Sequence, residues 1–558
     1  MKKRVMSNAL RQSFCLLAGT IVAGSALLPV APAHAGADVF GPVDSVVRLF
    51  LDGREIRGGW NVAPEINPDI LETAAARIAF VSKTDTLTVS PAEWDSADIA
   101  MITTSGDTAR VRVIRTAANP YEHPSPQMSR RAASGKLTRE QARFDIDALV
   151  YGISQIHPDI YSVCTQEQLL RAVNRAKDSL GDSVTPLQLY RAAAPLVAMI
   201  GDGHTCLQFP YKDVFTDSML RMPVFVRIGS DRAIICESSI DSIIPYGSAI
   251  LSINGVPADT MIDAMMPYVS GERQHYKLVR VGYSFYGLFH MLYGADAYDV
   301  EYRLPGESRT QRHIFPAATR ADIISRCPSV SRESRSDYTF SIDRSRDVAV
   351  MDFRSFTDAG RMSAFADSMF TALRDARIGN LIIDLRANGG GNSAVGDVLL
   401  RYISPLPFVQ MEKALIRVTP LSARLIGNGV TPCLVFHQAD SADYIRPLSR
   451  AEGHYDGRVY LLTSNNTFSS ASSFAWVFKE CGVGPVVGEE TGGMSVSYGD
   501  LLVYSMPVSG LSTTVSYKRF WLLHADERDI HGVIPDVSVK APDALDTALE
   551  MIARDRGR

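Results

Sequence analysis

Short apolar runs and helical repeats alternate through the second half of the chain. Val348–Phe353 and the runs at 381–385, 459–462 and 485–488 predict strands. The unbroken apolar character of 381–385 suits a strand covered on both faces. Met362, Phe365, Ala366, Met369, Phe370 and Leu373 recur at helical spacing and predict one buried helix face; a second helix is expected over about 469–479. Strands alternating with helices predict an α/β fold with a mostly parallel core sheet.

The first half follows other periods. From Thr138 the pattern turns helical: Thr138 and Gln141 have capping-box spacing, and Phe144, Ile146, Leu149, Val150, Ile153 and Ile156 follow on one face. Helices are also expected over about 166–180 and 186–200, ending at Gly201-Asp202-Gly203-His204-Thr205. Strand character returns over 210–316. Within it, 244–258 reads as loop, strand, tight Asn254-Gly255 turn and then a helix from about 259 to 266. That order looks like a PDZ-like α+β module, and a plain hairpin ahead of a helix fits the local pattern equally well. Residues 36–130 carry β-like runs at 46–51, 86–89 and 109–114 and end in the proline-containing stretch 119–126. They predict a β-rich accessory domain without evident chemistry. The expected organisation is therefore 36–130 accessory, 136–207 helical, 208–330 PDZ-like and 336–545 α/β.

At 558 residues, with 46% hydrophobic and 21% charged side chains, the chain has an ordinary globular composition for several domains. The first residues are different. Lys2, Lys3, Arg4 and Arg11 precede an apolar run at 14–31, and Ala33-His34-Ala35 follows it, which predicts a secretory signal peptide over 1–35 cleaved before Gly36. Gly19, Gly24, Ser25, Pro29 and Pro32 interrupt the run and argue against a membrane anchor, and Cys15 lies inside it, unlike a lipoprotein cysteine. The expected location is periplasmic or extracellular. Removing 1–35 takes away four basic residues, so the formal charge falls from −4 to −8, which gives no electrostatic basis for nucleic-acid binding. Cys164, Cys206, Cys236, Cys327, Cys433 and Cys481 form no C-x-x-C pair, and no histidine pair has zinc spacing, so no structural metal is expected.

Two strand-to-helix turns carry the candidate chemistry. In Asp384-Leu385-Arg386-Ala387-Asn388-Gly389-Gly390-Gly391, glycines after a strand expose backbone N–H groups suited to an oxyanion. The stretch 389–394 also fits G-x-G-x-x-A, but its glycines do not open directly from the strand, so a dinucleotide loop is the weaker reading. In the turn at 467–475, Ser469 stands where a serine is either a helix cap or a nucleophile aided by the helix N-terminus.

Taken in order, 201–205, 381–391, 459–493 and His531-Gly532-Val533-Ile534-Pro535-Asp536 resemble the C-terminal-processing and tricorn-core (tail-specific) family of serine peptidases, over about residues 138–545. The resemblance implies a ClpP/crotonase-like core and Ser469 as nucleophile. The lysine base of the C-terminal-processing branch falls on Met494, which cannot accept a proton, and the family's acidic helix position holds Ser472. The tricorn-like branch uses a histidine that corresponds to His204 and an acid that corresponds to Asp529, with Glu527 as the alternative. It also implies oxyanion donors from the Ser470 and Gly390 amides. The expected function is exported hydrolysis of peptide bonds in a protein or peptide bound in extended form, without cofactor. Competing expectations are a ligand-binding protein on the same scaffold and, last, an esterase, since no G-x-S-x-G surrounds Ser469.

Overall fold

The computed structural model describes residues 135–327, 336–427, 430 and 433–556, together with Tyr121, 124–129 and the backbone of strands between Ser45 and Ile114. The signal-peptide expectation at 1–35 lies outside the described residues. Strands stand at Ser45–Leu51, Thr86–Val89 and Thr108–Ile114, and Ser96–Thr103 joins the first to the last of these in one sheet.

Three helices follow, Arg139–Ile156, Gln166–Asp178 and Pro186–Ala198. Each begins with a threonine whose hydroxyl accepts an N–H from a glutamine three residues on. The reciprocal bond from the threonine N–H to the glutamine satisfies a second free donor, so these starts are fixed locally. Their apolar faces share a core with an antiparallel sheet ordered Val224–Ile228, Ile234–Ser239, Ala249–Ile253, Ala297–Arg303, Thr310–Pro316. The tight turn expected at 254–255 is present. Asn254 (φ 50°) and Gly255 (φ 74°) are both left-handed and fold Val256–Pro257 back onto Ala249–Ile253. Helices Ala258–Met265 and Gln274–Tyr293 complete this part.

The second half is a mixed α/β structure. Its core sheet runs Tyr338–Asp343, Val348–Phe353, Asn380–Asp384, Arg458–Thr463, Val486–Gly488, Val537–Ser538, with only the first pair antiparallel. Side chains alternate across it. Met351, Phe353, Leu381, Ile383 and Leu461 face helices Ala359–Ala376, Ser393–Ile403 and Ser470–Glu480, while Val348, Ile382, Tyr460, Leu462 and Val487 face helix Ala544–Arg556. Burial on both faces is why these strands read as unbroken apolar runs. A second, antiparallel sheet brings Cys206–Leu207 against Ser512–Leu522, which also pairs with Met411–Val418 and Val496–Ser505. Among the described residues no helix is long and apolar enough to cross a membrane.

Candidate active site

Asn380–Asp384 and Arg458–Thr463 are parallel neighbours, so the turns at their carboxyl ends lie side by side, where open α/β sheets bind ligands. The second turn is tied down internally: Ser464 N–H donates to Thr467 Oγ1 (3.0 Å), and Thr467 Oγ1–H donates to the Leu385 carbonyl (2.9 Å). Phe468 N–H reaches the Asn388 carbonyl at 3.2 Å, which joins the two turns. Ser469 follows with φ 54° and ψ −130°, immediately before helix Ser470–Glu480, and its side chain caps nothing. A non-glycine residue held there costs about 1–3 kcal/mol, and such strain persists only where the surroundings enforce it. The effect is to lift the Ser469 hydroxyl off the helix start, so the capping role open to a serine at this position is not the one it takes.

The glycine turn packs against it. A Cβ on Gly390 (φ +98°) would stand 2.7 Å from the Phe468 carbonyl oxygen, 2.8 Å from Ser469 Cβ and 2.9 Å from Ser470 N. Only glycine fits. Fully buried Asn388 shapes the turn, donating from Nδ2 to the Phe353 carbonyl (2.9 Å) and accepting Gly390 N–H at Oδ1 (2.9 Å). The Gly390 amide, expected as an oxyanion donor, is thus engaged by Asn388, whereas the Ser470 amide opens a helix, where N–H groups have no intrahelical acceptor. Ser472, at the family's acidic position, donates to the Thr467 carbonyl (2.8 Å) and accepts Gly493 N–H (3.1 Å), bracing the elbow from below. Met494 is buried.

His204 arrives from a separate part of the chain. Its carbonyl accepts the Thr514 hydroxyl at 2.8 Å, and Cys206 pairs with Thr514, so the antiparallel sheet holds the loop. Its ring lies on Phe468, centroids 4.5 Å apart, and Phe468 stacks in turn on Tyr276 at 4.0 Å. His204 Nε2 is 3.0 Å from Ser469 Oγ. Its Nδ1 has no hydrogen-bond partner and lies 3.6 Å from Asp202 Oδ1.

Asp202 is fully buried and surrounded by donors. The His204 amide reaches Oδ1 at 2.9 Å, and the Thr205 and Ser516 hydroxyls reach Oδ2 at 2.5 and 2.7 Å. His157 Nε2 stands 3.3 Å from the same Oδ2. His157 Nδ1 accepts the Asp159 amide at 3.1 Å, so the proton of a neutral His157 sits on Nε2, facing Asp202. Burial alone would push the Asp202 carboxyl up, but hydrogen bonding from His157 and His204 outweighs it and holds the group well below the usual carboxylate range. Glu272 is the third member: Asp202, His204 and Glu272 place ligand-type atoms within 4.8 Å of one another. The cluster is a poor cradle for a metal ion, because donors already occupy both Asp202 oxygens.

Each of the two acids expected from sequence has a basic neighbour. Glu527 pairs with Arg519, whose guanidinium lies 5.7 Å from the Tyr498 ring, and Tyr498 packs on His157 at 4.4 Å. Asp529 has an 82% exposed side chain and lies 3.9 Å from His531 Nε2. Among the described residues, the carboxylates that cluster with His204 are Asp202 and Glu272. Asp202 had a sequence signal, its place two residues before the histidine in a glycine-rich turn; His157 and Glu272 had none.

Residues 347–539 match the family model described as Peptidase family S41. The fold is similar to a crystal structure of a CPAF mutant, with TM-score 0.56 and 14% identity over 75% of this chain and 97% of that one. Mature CPAF gives TM-score 0.53 and 14% identity over 74% and 96%. The photosystem II D1 C-terminal processing protease gives TM-score 0.37 and 16% identity over 74% and 96%.

Proposed function

We propose, for a chain whose residues 347–539 place it in peptidase family S41 and make it a serine peptidase, that the bond is cut by Ser469 with His204 as general base. The observation that carries this reading is the 3.0 Å approach of His204 Nε2 to the hydroxyl of a backbone-strained Ser469. As Ser469 Oγ attacks a peptide carbonyl, His204 Nε2 takes its proton, and the same nitrogen then protonates the leaving amine. Water, deprotonated by His204, releases the acyl group. The imidazolium is stabilised through Nδ1 by Asp202, which takes the place assigned by resemblance to Asp529 or Glu527. The 3.6 Å approach shortens to a hydrogen bond when substrate closes the site. The Ser470 amide donates to the oxyanion, and the Gly390 amide joins it only when Asn388 releases it.

The finer proposals are export directed by residues 1–35, a PDZ-like role for the sheet and helices over 224–316, and a substrate bound in extended form as an added strand. The test compares wild type, Ser469→Ala and His204→Ala on unfolded protein substrates, together with labelling by an active-site serine reagent. Labelling at Ser469 and loss of about three orders of magnitude in kcat in each variant are expected. Persistent cleavage by Ser469→Ala refutes the mechanism, and ligand binding by an unlabelled wild type points to the scaffold reading.

A further inference from the structure

Helix Gln274–Tyr293 and the residues leading into it lie across the peptidase turns. Arg273 donates to the Ile530 carbonyl, His275 contacts the Thr491 carbonyl at 3.2 Å, Tyr276 stacks on Phe468, and Tyr283 donates to Asn466 Oδ1 at 2.6 Å. Glu272 belongs to the same approach and turns inward. Both of its carboxyl oxygens are buried without a hydrogen-bond partner, and one would stand 2.9 Å from a Cβ on Gly203. A buried carboxyl left without partners costs several times what a satisfied one does. The His204 ring belongs to the same cluster, and its Nδ1 is equally unpartnered.

We propose that Glu272 is a positioning residue for the catalytic histidine, sharing with Asp202 the Nδ1 side of His204 and setting the pH at which the imidazole is free to take the Ser469 proton. The inference rests on the peptidase reading for its consequence and on the geometry for its premise. The division of labour follows from the surroundings. Asp202, filled by donors, is ionised throughout and orients the ring. Glu272 has no comparable set of side-chain donors, so it is the carboxyl that can hold a proton. Burial and the negative charge of Asp202 push the Glu272 carboxyl up to about 7, against the pull of His204. Glu272 and His204 lie close enough in this cluster for the charge of one to bear on the other. The other charged or titratable groups on these elements are His157 behind Asp202, Cys206 beyond His204, Arg273, and on the helix His275, Tyr276, Lys277, Arg280, Tyr283, Tyr286, His290 and Tyr293. Of these, Arg280 contacts Cys206 Sγ at 3.5 Å, and Arg273 and His275 are directed to backbone carbonyls.

The test is the titration of the His204 ring by carbon-13 NMR of the full chain carrying Ser469→Ala, with and without Glu272→Gln, alongside the pH profile of kcat/KM in the Ser469 enzyme. Removing an ionisable partner at this distance lowers the His204 midpoint, and with it the acid limb of the profile, by about one pH unit. Glu272→Asp, which keeps the charge, holds the midpoint closer to wild type than Gln does. A merely structural glutamate would lower the plateau and leave the limb in place. An unmoved His204 midpoint in Glu272→Gln overturns the inference. Should that variant fold poorly, the labelled Glu272 carboxyl in the Ser469→Ala chain decides: titration with His204 near neutrality supports the pairing, and an ordinary midpoint of about 4.3 overturns it. A midpoint that moves while the wild type hydrolyses nothing would sink the peptidase reading and leave this one standing.

Discussion

His157 and His204 approach one carboxylate from its two oxygens. His157 Nε2 lies 3.3 Å from Asp202 Oδ2, and His204 Nδ1 lies 3.6 Å from Oδ1. Asp202 is thereby held on its Oδ2 side by a ring that does not face the serine, and its Oδ1 lies toward the ring that does.

The first prediction concerns that carboxylate. Asp202→Asn keeps the shape but turns an amide toward one of the rings, so the tautomer of His204 that accepts from Ser469 is no longer favoured. By analogy with the effect of this change in other serine hydrolases, kcat falls about 10³–10⁴-fold with the fold intact by circular dichroism. A variant within tenfold of wild type would remove Asp202 from the proposed mechanism.

The proposed mechanism makes Ser469 and His204 act as one unit, so their losses should not add. The double variant Ser469→Ala, His204→Ala should be no slower than the worse single variant, read from kcat on the same unfolded substrate. Additive losses would mean that the two side chains contribute independently, contrary to their 3.0 Å contact.

Gly390→Ala tests the packing of the two turns. Its Cβ would meet three atoms of 468–470 at 2.7–2.9 Å on a backbone at φ +98°. A stability loss of about 1–3 kcal/mol in urea unfolding is expected, with a larger proportional loss of kcat than for Gly389→Ala, whose Cβ would meet nothing within 4 Å.

Asn388→Ala leaves the Phe353 carbonyl and the Gly390 amide without the partners described above. Unmet buried groups cost about 1–3 kcal/mol together with local loosening, visible as faster amide exchange at 389–391.

Stability against pH distinguishes the two carboxyls near His204. Asp202 is held low, so its contribution is complete above the ordinary aspartate value and is lost only as acid protonates the folded form. Glu272 is raised, so the folded chain binds its proton more tightly than the unfolded one, and stability falls as pH climbs from the ordinary glutamate value through about 7. The melting temperature of Glu272→Gln relative to wild type should therefore rise between about pH 5 and about pH 8. A constant difference would contradict the raised carboxyl.

Much of this was legible because it is local. The capping box at Thr138, the turn at Asn254-Gly255 and the strand Val348–Phe353 depend on neighbours in sequence and stand where the pattern places them. Ser469 and His204 were legible as motif positions, and their meeting is a tertiary fact no period encodes. His157 follows a helix end, and Glu272 precedes another helix. Neither has a local pattern that distinguishes it from an ordinary surface residue. The acid expected near 527–529 rested on spacing from the G-V-x-P-D-like segment, and spacing does not reveal that Arg519 pairs with Glu527.

The 265 positions between His204 and Ser469 have a temporal consequence. A ribosome delivers the base long before the hydroxyl, and the braces at Gly493 and Ser516 come later still. On the proposed mechanism a growing chain lacks its nucleophile until residue 469 has been added, so cleavage cannot begin before both halves of the pair have been made.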